Sequence, residues 1–331
     1  MVRGRYQEDE WTQLFRLRDE VISTLRYVTD KVEEINYPEL QRGKKKSIDI
    51  VASTEHKDLI IKIQSDAKKI KRDELEDLIK SSKVLNALPI VISKFSGSNE
   101  LEDYVIYIKN NVFIMNEKTF KGVVVERNTY VFNIKGNYLV KVDGKRLRRL
   151  REGLGLSLGD VAKELGVTRK TVYEYERESF TATVGTAERL INVFGDDIIE
   201  PIDIKVLSEL RRMYETALKL SEDRGYDIVN YLKSLGLKAS DIKFSAPDVL
   251  ASHEVSERVK LFIIDLRRRI RNVTAKIQEC FKFSKVLEGD VLVLSKDKSR
   301  DYELIESTLP KDEVKIIEDG EISELRKVIT R

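Results

Sequence analysis

Ser157-Leu-Gly-Asp-Val-Ala-Lys-Glu-Leu-Gly-Val-Thr-Arg-Lys-Thr-Val-Tyr-Glu-Tyr-Glu-Arg177 decides how the middle of this chain folds. Ser157 with Asp160 three residues on is close to a capping box, in which each side chain binds the other's backbone N–H. The helix this predicts, over 158–165, carries Val161, Ala162 and Leu165 on one face. Gly166 can take the left-handed conformation that ends a helix. Thr168 then caps a further helix, 169 to about 177, with Val172 and Tyr175 inward and Arg169, Lys170, Thr171 and Tyr173 outward. Working outward, Lys145-Arg-Leu-Arg-Arg-Leu-Arg-Glu-Gly153 predicts a preceding helix with Leu147 and Leu150 on its apolar face. A fourth, about 184 to 194, presents Ala187, Leu190, Ile191 and Phe194. Before them, Thr129–Ile134 and Tyr138–Val142 around Lys135-Gly136-Asn137 predict a β-hairpin.

Two short helices joined by a tight glycine turn, the second opening on polar and basic residues, form a helix-turn-helix. In that geometry the first turn of the second helix enters the major groove. Arg169 and Lys170 would donate to guanine N7 and O6, and Thr171 and Tyr173 are the other candidates for base contact. Helix N-termini at Ser157 and Thr168 would hold phosphates, with Lys145, Arg146, Arg149 and Arg177 as further phosphate candidates. The segment resembles the Cro/C1-type helix-turn-helix through Leu147-Arg-Arg-Leu-Arg151, Ser157-Leu-Gly-Asp-Val-Ala162, Leu165-Gly-Val-Thr168 and Thr171-Val-Tyr-Glu-Tyr-Glu-Arg177. The whole chain resembles archaeal transcriptional regulators that carry this module in mid-sequence, including the Asp143-Gly-Lys-Arg-Leu-Arg148 entry and the Glu200-Pro-Ile-Asp203 exit. Two positions depart from that pattern. Leu158 stands where the family often has a phosphate-binding glutamine, and Glu178 where it often has glycine.

The flanks resemble each other. Ser82-Lys-Val-Leu85 recurs as Ser284-Lys-Val-Leu287, Ile92-Ser-Lys94 as Leu294-Ser-Lys296, and Val112-Phe-Ile-Met115 as Val314-Lys-Ile-Ile317. Leu59–Ile63 matches Leu261–Asp265 at the same offset of about 202 residues, and Ile48-Asp-Ile-Val-Ala-Ser53 matches Pro247-Asp-Val-Leu-Ala-Ser252 at a slightly shorter one. A constant offset predicts an internal duplication. Each copy reads as a helix (about 20–32; about 227–234), an Asp-bearing strand, an apolar strand, a charged helix (about 66–83; about 267–287) and two further strands. The fold expected is α/β plus all-α, with two small α/β sandwiches at 1–125 and 205–331 flanking a hairpin and helix-turn-helix bundle at 126–204.

An Asp-bearing strand followed by an apolar strand ending in Lys resembles the restriction-endonuclease and Holliday-junction-resolvase core. Active members of that group have an Asp on one strand, then a carboxylate and a Lys two residues apart on the next. Here Asp49 and Lys62 stand, but Ile60 fills the second carboxylate position; in the second copy Asp248 stands, with Phe262 and Ile264 in the other two. One carboxylate per copy is too little charge for Mg²⁺, so Asp49, Lys62 and Asp248 are expected to be vestigial. Asp265 lies one residue off register, on the opposite face of its strand. An active nuclease guided by the helix-turn-helix is the alternative.

Composition bounds the rest. Among 331 residues, 60 Lys+Arg against 57 Asp+Glu leave a net charge of only +3. One cysteine, Cys280, excludes a disulfide framework, and two distant histidines, His56 and His253, leave little for a metal or a triad. No cofactor or metal is expected, and this scarcity speaks for binding rather than catalysis. No apolar run approaches the ~18 residues of a membrane span, so a cytoplasmic, nucleoid-associated protein without a membrane partner is expected. The expected partner is double-stranded DNA. One helix-turn-helix reads few base pairs, so a homodimer through the α/β domains with half-sites ~34 Å apart is also expected. A small-molecule effector remains open. Cys280 shares an inward helix face with Ile277 and Phe281 as a core thiol. The runs Arg42–Lys46, Lys68–Arg72 and Arg267–Arg271 are solvated faces or phosphate tracks. Trp11, Leu14 and Phe15 begin an N-terminal helix.

Overall fold

Unbroken apolar runs in both flanks and helical periodicity in the middle give strands and helices where those patterns fall. The structure, a computed structural model, describes residues 10–38, 45–177, 181–215, 220, 227–253, 259–267, 272–297 and 314–318. The chain opens with α1 (Glu10–Arg26), β1 (Val32–Glu34), β2 (Ile50–Ser53), β3 (Asp58–Ile63), α2 (Arg72–Leu85) and β4 (Leu88–Ile92). There follow β5 (Phe95–Ser96), β6 (Asn99–Glu100), β7 (Val105–Lys109), β8 (Val112–Met115), α3 (Glu117–Lys121), β9 (Val131–Ile134) and β10 (Asn137–Val142). The middle continues through α4 (Gly144–Gly153), α5 (Leu158–Leu165), α6 (Arg169–Glu176), β11 (Thr181–Thr183), α7 (Val184–Phe194), β12 (Ile199–Glu200) and α8 (Ile204–Tyr214). The last part comprises α9 (Asp227–Ser234), β13 (Leu237–Asp241), β14 (Val249–His253), β15 (Lys260–Asp265), α10 (Val273–Leu287), β16 (Asp290–Ser295) and β17 (Val314–Glu318).

Two compact units result: Met1–Val91 together with Leu218–Arg331, and Ile92–Ala217. In the first unit, β1, β2 and β3 are antiparallel neighbours and β4 lies beside β3. A second sheet runs β13-β14-β15-β16-β17, antiparallel through β15 and parallel thereafter. Parallel strands buried on both faces need apolar side chains throughout, and Leu261–Ile264 and Val291–Leu294 are all buried. Both sheets tie an Asp into the same backbone pattern. The Asp49 carbonyl accepts from Ile35 N–H at 2.9 Å and its N–H donates to Ile61 at 2.8 Å; Asp248 does the same with Ile242 and Ile263, both at 2.8 Å. The Ser-Lys-Val-Leu sequences have a shared physical role at helix ends. α2 ends on Asn86 (φ 53°) and α10 on Glu288 (φ 54°), both left-handed, with their N–H groups on the Ser82 and Ser284 carbonyls. The hydroxyls of Ser82 and Ser284 donate to the Ala87 and Gly289 carbonyls.

Three helix boundaries differ from expectation. The first helix stops at Arg26, and Val32–Glu34 joins β2 as an edge strand. Thr29 donates its hydroxyl to the Ser53 carbonyl at 2.6 Å, and Ser53 N–H donates to Lys31, which fixes the chain in extended form there. The first charged helix starts at Arg72 rather than near Asp66, because Asp66 caps only one short turn before Ile70 turns extended. The second charged helix, α10, starts at Val273 rather than near Arg267, because Asn272 caps it there by accepting from Ala275 N–H at 3.2 Å. Residues 268–271 lie outside the described residues, as do Arg42, Gly43 and Lys44.

The second unit sets a sheet, β8-β7-β9-β10-β11 with β12 on β10, beside the bundle α4–α7. The β9–β10 hairpin turns on Lys135 and Gly136, at φ 52° and 88°, the paired positive values that a two-residue primed turn demands. Val140, Val142, Leu147, Val161, Leu165, Val172, Leu190 and Ile198 form one buried core across hairpin and bundle. No described helix is long and apolar enough to cross a membrane.

Candidate nucleic-acid interface

The α5–turn–α6 segment forms as its sequence dictates. Ser157 Oγ accepts from Asp160 N–H at 3.2 Å and Asp160 Oδ2 accepts from Ser157 N–H at 2.8 Å, completing the capping box. Those bonds from Ser157 hold the Asp160 carboxyl below the usual carboxylate range, with Arg169 adding to the effect. Gly166 adopts φ 66° at the end of α5, and the α7 side chain Arg189 donates from Nη1 to the Leu165 carbonyl at 2.7 Å. Thr168 Oγ1 then caps α6 by accepting from Thr171 N–H at 3.1 Å.

The first turn of α6 points outward with its chemistry accessible. Arg169 and Lys170 are exposed, Thr171 is half-buried with its hydroxyl 2.9 Å from that of Thr168, and Tyr173 is 51% exposed. Arg177 lies over the Tyr173 ring at 5.8 Å. Lys170 meets Glu174 only at 3.9 Å on an exposed face, a contact worth a few tenths of a kcal/mol that a phosphate or base would displace. The Arg169 guanidinium rests against Gly159 at the start of α5, where a Cβ would come within 2.8 Å of Nε.

The phosphate candidates separate into groups. Lys145 and Arg149 are exposed on α4, and Arg177 is exposed just beyond α6. The Ser157 N–H is already given to Asp160, and Arg146 is held by Asp197. Arg151 has a role its sequence context hides. Its guanidinium binds Glu176 through Nε and Nη2 and the Leu156 carbonyl through Nη1 at 2.9 Å, so it ties α4 to the end of α6. Nothing in a run of five basic residues marks which one turns inward. Gly144 is equally structural: a Cβ there would sit 2.3 Å from the Tyr175 carbonyl oxygen, so α4 approaches α6 through it. Glu178 lies outside the described residues.

Asp49 and Lys62, the positions matched to the nuclease pattern in the first copy, are buried and paired with opposite charges. Asp49 contacts Lys46 at 3.1 Å and Lys62 at 3.2 Å, and accepts from Ile63 N–H at 2.7 Å. Burial alone would raise its carboxyl; Lys62 and Lys46 outweigh it and hold the group below its ordinary range. Glu74 of α2 joins this cluster, 4.0 Å from Lys62, and accepts from the Lys46 and Lys71 backbone N–H groups. Asp248 accepts from Asp265 N–H at 2.9 Å and meets Lys276 at 2.7 Å. Sequence alignment of the strands missed Lys276 because it comes from α10. Burial pushes Asp248 upward, partly offset by Lys276. Asp265 binds Arg267 at 2.7 Å.

Against known families, residues 147–197 match a helix-turn-helix model and residues 16–130 a PD-(D/E)XK superfamily domain. A protein of Sulfurisphaera tokodaii named "Putative HTH-type transcriptional regulatory protein" is 30% identical over 84% of this chain and 90% of its own length. This chain belongs to that archaeal family. Similarly named proteins of Sulfolobus acidocaldarius (31% identical, 79% of this chain and 84% of theirs) and Methanocaldococcus jannaschii (28%, 77% and 80%) also match. No solved structure matches.

The PD-(D/E)XK match raises the question of a divalent metal in this family member. The residues do not fit one. Both Asp49 oxygens are occupied by lysines or a backbone N–H, Ile60 adds no charge, and no group of three or more His, Cys, Asp or Glu side chains converges among the described residues. Hard divalent cations need several oxygen ligands, which this donor set cannot offer without expelling its own ammonium groups. Cys280 is buried, with its thiol 3.9 Å from the Phe262 carbonyl and pushed upward by burial. His56 is exposed and His253 half-buried.

Proposed function

We propose that this chain is a sequence-specific regulator of transcription that binds double-stranded DNA, with α6 in the major groove. The observation that carries the reading is the exposed first turn of α6, basic and polar, fixed by the Gly166 turn and both helix caps. Arg169, Lys170, Thr171 and Tyr173 are the base-reading set, and Lys145, Arg149, Arg177 and the Thr168 end of α6 the phosphate set. Selection of bound sequences from a random duplex library tests this directly. On the selected site, Arg169→Ala should weaken binding by ~1–3 kcal/mol and relax preference at one base pair. Wild-type affinity and preference in that variant would remove the assignment.

In this reading two chains act together on one operator, since a single recognition helix covers few base pairs. The fold around it is two nuclease-like α/β modules related by duplication. The matching Asp-centred backbone bonds and the matching helix ends at Asn86 and Glu288 support this. The PD-(D/E)XK match favours one other reading, a metal-dependent DNA nuclease. Incubating linear, supercoiled and branched DNA with the protein and Mg²⁺ or Mn²⁺ separates the two. Cleavage that Asp49→Ala abolishes would establish the nuclease.

A further inference from the structure

We infer that the N-terminal α/β module (α1 to β4) and the C-terminal module (α9 to β17) are specific partners for each other, joined helix to sheet about a pseudo-two-fold axis at Asp58 and Lys260. One chain would thus contain the α/β dimer that two chains were expected to make. This inference does not depend on DNA reading.

The contacts come in reciprocal pairs. From α2, Asp77 accepts from the Lys243 and Phe244 N–H groups at 2.9 and 2.8 Å, and Lys80 donates to Asp241 at 2.8 Å. From α10, Glu279 accepts from Asn36 N–H at 2.5 Å and Lys282 donates to the Glu34 carbonyl at 2.9 Å. Glu279 and Lys282 stand at the same sequence offset from Asp77 and Lys80. Their targets also correspond: Glu34 pairs with Ile50 in one sheet and Asp241 with Val249 in the other. Each helix therefore delivers an acid to the turn N–H groups and a lysine to the strand end of the opposite module. Asp58 and Lys260, 202 residues apart, bind each other at 2.5 Å. Two equivalent positions can touch only where a two-fold axis passes between them, and this pair marks it.

Aromatic rings repeat the exchange. Phe244 of the C-terminal module lies 5.1 Å from the Lys45 ammonium, beside the Asp49 cluster. Tyr37 of the N-terminal module lies 5.1 Å from the Lys276 ammonium, which binds Asp248. Each module thus lays a ring over a lysine of the other: Tyr37 over Lys276, which binds buried Asp248, and Phe244 over Lys45, which binds the half-exposed Asp73 next along the chain from Glu74. The Lys80–Asp241 pair is itself almost fully buried, with side chains 4% and 1% exposed. Separated modules would lose this buried pair, whose mutual attraction is largely offset by desolvation, so it selects the partner more than it adds net stability.

Inserting a site-specific protease sequence at the 217/218 boundary of the full chain tests the pairing. After cleavage the two fragments should co-elute at the mass of the intact chain. Lys80→Asp should weaken their association on the order of 100-fold, and Lys80→Asp with Asp241→Lys should restore much of it. The more exposed pair gives a second readout, Asp58→Lys alone and with Lys260→Asp, in the same direction with a smaller change. Fragments of the wild-type chain that separate on cleavage overturn the inference. So does retained co-elution in which every charge reversal and every double swap behaves like wild type.

Discussion

Three glycines of the helix bundle should respond to the same substitution in three different ways, and the geometry gives the sign of each. At Gly144 a Cβ would lie 2.3 Å from the Tyr175 carbonyl oxygen and 2.9 Å from the Glu176 carbonyl carbon and oxygen. Ordinary contact begins near 3.4 Å, so α4 and α6 must part by about 1 Å, and both neighbours are backbone and cannot rotate away. Overpacking of that kind costs ~1–3 kcal/mol, which exceeds the gain of at most ~1 kcal/mol from alanine's helix propensity. At Gly185 in α7 no heavy atom lies within 4 Å, so Gly185→Ala should stabilise the bundle by up to ~1 kcal/mol. Gly159 is the intermediate case. The three heavy atoms nearest its Cβ would all belong to the Arg169 guanidinium, 2.8 Å away at Nε, a flexible end that can move. Gly159→Ala should therefore keep or raise stability while displacing the arginine we assign to base reading. Hydrogen exchange of α4–α7 amides in the full chain measures the bundle apart from the other unit, and titration against the selected duplex measures reading. Protection should fall for Gly144→Ala and rise for Gly185→Ala. Affinity should fall for Gly144→Ala and Gly159→Ala and hold for Gly185→Ala. Wild-type protection in Gly144→Ala would refute the close approach of α4 to α6, and wild-type affinity in Gly159→Ala would refute the placement of Arg169 over α5.

Two further outcomes are expected. Burial pushes the Asp77 carboxyl up to about 7 from an ordinary 3.8, against the pull of the Phe244 and Lys243 N–H groups. The folded chain then binds a proton that the unfolded chain has released. Its contribution is complete below pH 3.8 and lost as pH rises towards 7, with an upper bound of ~4 kcal/mol. Asp77→Asn should flatten that slope in urea midpoints measured stepwise from pH 4 to 7.5; an unchanged slope would show that Asp77 is not the group responsible. Arg151→Leu should cost on the order of 3 kcal/mol by stranding Glu176, whose side chain is 6% exposed, and adding Glu176→Leu should recover part of it. Simple additivity of the two changes in denaturant unfolding would argue against a coupled pair.

The bundle was legible in the sequence because its signals are local. Capping pairs, a positive-φ glycine and apolar spacing lie within a few residues of one another, and α5, α6 and α7 begin and end where those signals fall. The hairpin was legible for the same reason at Lys135-Gly136. Less could be read where partners are distant. A helix over 20–32 overruns the observed end of α1, which depends on Ser53, and a start at Asp66 precedes that of α2 because Asp66 can cap a single turn as well as a long helix. Among the basic residues of α4, sequence could not separate Arg151, which holds Glu176, or Arg146, which meets Asp197, from exposed Arg149 and Lys145. The partners that sort them lie 25 and 51 residues away.

The two Asp-centred clusters show that an aspartate buried at a strand end can be accounted for by charge balance and strand closure. Strand alignment leaves the C-terminal module with no lysine, since Ile264 stands opposite Lys62. Lys276 nevertheless reaches Asp248 from α10, at the offset position where α2 carries Glu74. In one module two acids, Asp49 and Glu74, face Lys46 and Lys62; in the other Asp248 and Asp265 face Lys276 and Arg267. The residues differ and the charge sums to zero in both. Burial alone demands that balance, because an unpaired charge in such a place costs several kcal/mol. Each aspartate also receives the N–H of the strand end beside it, Ile63 in one case and Asp265 in the other, so it fastens β3 or β15 at its last residue. A carboxylate that closes a strand and neutralises a buried lysine needs no reaction to account for it. A divalent ion placed there would have to displace the ammonium groups that make its burial possible.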